Sequence, residues 1–103
     1  MDNVYVKVNS ATEAAAVYGA QAQCGYDPCG RNRPEWWAGK SFPYHIRFQI
    51  RGGIRRHGYN KSDCYGDGSY GNLKKVSPYD ILKGVAPLRI PKMRGDTILL
   101  LIK

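Results

Sequence analysis

The run Tyr44-His45-Ile46-Arg47-Phe48-Gln49-Ile50-Arg51-Gly52-Gly53 carries the strongest structural signal in the chain. Its apolar residues, Tyr44, Ile46, Phe48 and Ile50, alternate with the polar His45, Arg47, Gln49 and Arg51. Successive side chains of a strand point to opposite faces, so a period of two predicts a strand with one buried and one solvated face. Gly52-Gly53 then suits a two-residue hairpin turn, where positive φ is needed. A second strand is expected from Ile54 to about Tyr59. Its register stays open, because one residue more or less in the turn exchanges its two faces.

Upstream of the hairpin, Val4, Val6 and Val8 alternate with Tyr5 and Lys7, the pattern of another half-buried strand. Ser10-Ala11-Thr12-Glu13 fits a capping box, with the Ser10 hydroxyl taking the Glu13 N–H and Glu13 reaching back to Ser10. A helix is expected from Ala11 to about Gln23, with Ala14, Val17, Tyr18, Gln21 and Cys24 on one stripe and Gly25 as the left-handed residue beyond its end. Gly19 costs this helix up to about 1 kcal/mol relative to Ala, which close packing against a sheet would explain. From 26 to 41, Asp27-Pro28, Gly30, Arg33-Pro34 and Gly39 predict a loop. Trp36 and Trp37 sit inside it, and since adjacent residues seldom face the same way, one of them is expected to cover the core.

Downstream, residues 60 to 72 are rich in Gly, Asp, Ser and Tyr and read as a loop. Ser77-Pro78-Tyr79-Asp80 is a second helix start, stopped by Gly84 after about two turns. Pro87 and Pro91 bracket an extended segment, and Thr97 to Ile102 reads as a buried strand lying centrally, beside the first. The expected fold is α+β: about four strands in a largely antiparallel sheet, one main helix on one face and a second short helix, in the order β-α-β-β-α-β. A chain of 103 residues makes a single domain, 1–103.

Sixteen Lys and Arg against eight Asp and Glu leave a formal charge of +8. Such an excess concentrates polyanions around the surface, and nucleic acid or an acidic protein face are the partners it suggests. Cys24, Cys29 and Cys64 are odd in number, which argues against a disulfide framework and for a reducing compartment. The N-terminal residues lack the pattern of a secretory leader, and the longest apolar run, Ile98 to Ile102, is too short to span a bilayer. A cytoplasmic location follows as the expectation, in the host cytoplasm if the source is viral, with no membrane partner and no cofactor.

Val4-Tyr5-Val6-Lys7-Val8-Asn9-Ser10, Glu13, Gly25-Tyr26, Trp36-Trp37 and Phe42-Pro43-Tyr44 together resemble a loosely defined group of small bacteriophage accessory proteins. Residues 4 to about 50 carry the resemblance. It implies a viral origin, an α+β fold and a role in modifying host machinery, and it implies no catalytic residues.

Four constellations bear on function. Arg47, Arg51, Arg55, Arg56, His57 and Lys61 gather on the hairpin, and the polar face of its first strand spans roughly 20 Å at about 3.3 Å per residue. Guanidinium forks match phosphate and carboxylate oxygens in pairs, so this hairpin is the leading anion-binding candidate. Tyr65 and Tyr70, with Tyr59, Lys61, Lys74 and Lys75, form an aromatic and basic stretch suited to bases or to a protein contact. Trp36 and Trp37 join it as candidate anchors. Cys24, Cys29, His57 and Cys64 offer a zinc-type donor set with unusual spacing. His45 and His57 would be the acid and base of a small nuclease, but no nucleophile turn, carboxylate pair or phosphate-cradling loop accompanies them. Arg94-Gly95-Asp96 and Asn60-Lys61-Ser62 read as a turn and an unused acceptor.

The expectation is therefore a non-enzymatic, phage-like accessory protein. It binds or inhibits a component of host defence or gene expression through a basic hairpin and an aromatic loop. Direct nucleic-acid binding is the alternative, with a zinc module or nuclease behind it, and an exposed edge strand leaves a homodimer open.

Overall fold

The computed structural model describes residues 1–60 and 73–84. In chain order these form β1 (Val4–Val8), α1 (Ala11–Ala22), a 3-10 turn (Pro34–Trp37), β2 (Tyr44–Arg51), β3 (Ile54–Asn60), β4 (Lys74–Val76) and α2 (Pro78–Leu82). The strands make one sheet in the order β3-β2-β1-β4, and the class is α+β as expected. β1 and β3 pair antiparallel with β2, while β4 pairs parallel with β1, so the sheet is mixed.

Local chemistry sets the element ends. Ser10 Oγ accepts from the Glu13 N–H at 3.1 Å, as the capping pattern predicts. Glu13, however, accepts from Asn9 N–H at 2.7 Å and not from Ser10, reaching one residue further back. At α2 the box closes on itself: Ser77 Oγ accepts from Asp80 N–H and Asp80 Oδ2 from Ser77 N–H. Gly52 and Gly53 both take positive φ, 61° and 78°, the geometry of a type I′ turn. That two-residue loop settles the register by placing Arg51 opposite Ile54 and Ile50 opposite Arg55.

The core lies between one face of the sheet and α1. Val4, Val6, Val8, Ile46 and Phe48 meet Ala14, Val17 and Tyr18, and Trp37 joins them. Phe48 packs edge-on against Tyr18 and Tyr26 at ring-centroid distances of 5.3 and 5.1 Å, the favoured aromatic geometry. Ala14, Ala15, Ala16 and Ala20 of α1 are buried in this core.

The edge of β1 opposite β2, where the sequence suggests a strand from Thr97 to Ile102, is taken along Val4–Val6 by β4. The strand filling it, Lys74–Val76, is too short and too basic to show a period of two. The 97–102 segment itself lies outside the described residues. Gly19 does not mediate close packing, since a Cβ built there meets nothing within 4 Å. No helix among the described residues is long and apolar enough to cross a membrane.

Candidate functional site

Directly paired residues of neighbouring strands share a face, so the register sorts the hairpin arginines. Arg47, Arg51 and Arg56 stand on the face away from α1, together with Lys7 of β1 and Lys75 of β4. Arg55 and His57 stand on the other face, beside α1. The face away from α1 is not uniformly solvated: Tyr5 and Leu73 are buried on it as a small second cluster, and His45 is only 3% exposed. Arg51 and Arg56 at the hairpin end are exposed, as is Lys7, while Arg47 is half-buried. The described strands hold seven cations, Lys7, Arg47, Arg51, Arg55, Arg56, Lys74 and Lys75, and no acid.

Apolar side chains complete the hairpin end. Ile54, on the same face as Arg51 and Arg56, is 55% exposed, and Ile50 on the reverse face is 40% exposed. Isolated surface isoleucines are ordinary, but Ile54 lies on one face with Arg51 and Arg56, so that face of the hairpin end is mixed apolar and basic.

Three proposed contact residues turn out to be engaged internally. Arg55 grips Asp2 with two hydrogen bonds, Nε to Oδ1 at 3.0 Å and Nη2 to Oδ2 at 3.2 Å. Tyr26 donates to the same carboxylate at 2.6 Å, and the Arg55 guanidinium holds the Asp2 carboxyl below its ordinary range. His57 Nδ1 lies 3.0 Å from the Tyr18 hydroxyl. Burial pushes the Tyr18 phenol upward, so it keeps its proton, and the two groups share one hydrogen bond. Burial, and then the charge of Arg31, hold His57 below its ordinary value, against a pull from Asp27. Trp37 is 1% exposed, and its indole N–H donates to the Arg31 carbonyl at 2.8 Å, so it belongs to the core and is no anchor for a partner.

Trp36 is half-buried, edge-on to Trp37 and Tyr59, and cations lie against its ring. Arg31 lies 4.4 Å from its ring centroid and Lys40 Nζ 4.9 Å from it. Arg31 also packs 4.9 Å from the Tyr59 ring and donates to the Tyr59 hydroxyl at 3.1 Å. Arg31 sits just beyond a tight turn in which Cys29 and Gly30 both have positive φ and Arg31 N–H donates to the Pro28 carbonyl at 2.8 Å. Nothing in the sequence marked Arg31, because its partners Trp36, Lys40 and Tyr59 are joined to it only by folding.

Among the described residues the other two constellations are not brought together. Cys24 packs against the core, Cys29 is exposed and His57 is held by Tyr18, and among the described residues no three potential metal ligands cluster. His45 and His57 lie on opposite faces of the sheet, so they cannot serve one reacting group as acid and base. Lys61, Cys64, Tyr65 and Tyr70 lie outside the described residues. No protein family, curated protein or solved structure matches the chain.

Proposed function

We propose that this chain is a non-enzymatic binding protein that docks the end of its β2–β3 hairpin on an acidic protein surface. The observation that carries the reading is the grouping of Arg51, Arg56 and exposed Ile54 on one face of a rigid two-strand ribbon whose strands hold no acid. A charged rim steers association and fixes orientation, and an apolar centre supplies the surface that loses water on contact. In the setting that the phage resemblance suggests, the partner is a component of host defence or gene expression, and docking blocks it.

Ile54 favours protein over nucleic acid. Single-stranded nucleic acid is held by exposed aromatic faces beside cations, and the described part of this face offers none, since its one ring-bearing phenol, Tyr5, is fully buried. Two assays separate the readings. A protein partner gives a complex from nuclease-treated bacterial lysate and no mobility shift with generic oligonucleotides. Direct nucleic-acid binding gives a shift that disappears as salt rises, and no complex after nuclease treatment.

A further inference from the structure

We infer that Arg31, with Tyr59 and Lys40 around Trp36, forms a second anion site, which takes a small oxyanion of the phosphate type. The inference does not rest on the hairpin reading, because the residues stand on the other side of the sheet.

A guanidinium has five N–H donors. Arg31 spends one on the Tyr59 hydroxyl, while its Nε is buried and has no partner. It forms no ion pair with any carboxylate among the described residues, where Arg55 has Asp2 and Lys83 has Asp80. A half-buried cation without a counter-ion is costly, and the aromatic faces of Trp36 and Tyr59 offset only part of that cost. Lys40 brings a second positive charge to the same indole.

The donors suit an oxyanion. Tyr59 accepts from Arg31 through its oxygen, so its own hydroxyl hydrogen remains to be given. His57 is kept neutral beside Arg31, so it adds no competing charge. A guanidinium edge and a phenol hydrogen together match the oxygens of a phosphate group, whether free or at the end of a larger molecule.

Trp36 reports on the site directly. Titrating the protein with inorganic phosphate at constant ionic strength, with chloride as control, is expected to change tryptophan fluorescence saturably. Arg31→Met should weaken that response roughly tenfold or more, as loss of a charge-assisted hydrogen bond does. Lys40→Met, which leaves the 27–31 turn intact, should weaken it severalfold, and Arg51→Glu should leave it unchanged. Titration with a phosphomonoester peptide beside free phosphate shows which source binds more tightly. A response that is absent in the wild type, or equal in the wild type and both site variants, overturns the inference. Because Arg51→Glu acts only on the hairpin, failure here and failure of the docking reading are told apart.

Discussion

The guanidinium of Arg47 lies across Gly58, its directly paired neighbour on β3, so that a Cβ on Gly58 would come within 2.7 Å of Arg47 Cζ and Nη2. Gly58 is the one position of β3 where the absence of a side chain makes room for a neighbour's charged end. The arginine is thereby laid over the ribbon, on the same face as Arg51 and Arg56. Gly58→Ala should lift the flexible end of Arg47 without breaking the strand. The net charge does not change, so a shift in the salt needed to elute the variant from a cation exchanger reads how that charge is presented. Elution at a lower or higher salt with an unaltered circular-dichroism spectrum is the expected result, and coincident elution contradicts it.

Gly19→Ala should stabilise the protein. The site is within α1 and a methyl there meets nothing within 4 Å, so the helix gains propensity without a clash. The gain is up to about 1 kcal/mol, which corresponds to a rise in Tm of roughly 4–8 °C for a domain near this size. A melting curve decides it, and a fall in Tm would mean that the helix is tighter there than the geometry says.

Stability should fall on mild acidification because of His57. Its folded pKa lies below the ordinary value of 6.5, so above that value neither state is charged and the contribution is fully present. As pH drops below it, the unfolded chain takes up a proton first, and stability is lost until the folded pKa is passed. His57→Asn retains a hydrogen-bonding partner for Tyr18 and should flatten this slope below neutral pH. Melting temperatures across that range measure it.

A separate acid transition belongs to Asp2. The bond from Arg55 holds its folded pKa below 3.8, so its contribution is present above that value and is lost as pH falls further. Asp2→Asn should cost about 1 kcal/mol at neutral pH, since the pair is partly exposed to solvent, and should remove part of the slope at the acid end. Urea titrations at neutral and acid pH compare the two.

Much of this architecture is legible in the residues. The alternation of Val4, Val6 and Val8 and of Tyr44 to Ile50, the Ser10 and Ser77 caps and the Gly52-Gly53 turn are local signals, each set by neighbours in the chain. What stays hidden is set at long range. Lys74–Val76 becomes a strand only because β1 offers an edge. The choice between Trp36 and Trp37 for the core depends on where the 3-10 turn lands against Tyr18 and Tyr44. Arg55 and Arg56 look equivalent in sequence, yet the register turns one toward Asp2 and the other outward. The Arg31 cluster joins residues up to 28 positions apart and leaves no local trace.

The docking reading meets its most direct test in the double variant Arg51→Glu/Arg56→Glu. These two side chains are exposed and make no ion pair among the described residues, so reversing them leaves the core and the Asp2–Arg55 bridge in place. The affinity of the captured partner for this variant should fall by two orders of magnitude or more, about 3 kcal/mol or above, while Tm stays near that of the wild type. A partner that binds the double variant as tightly as the wild type would contradict the account.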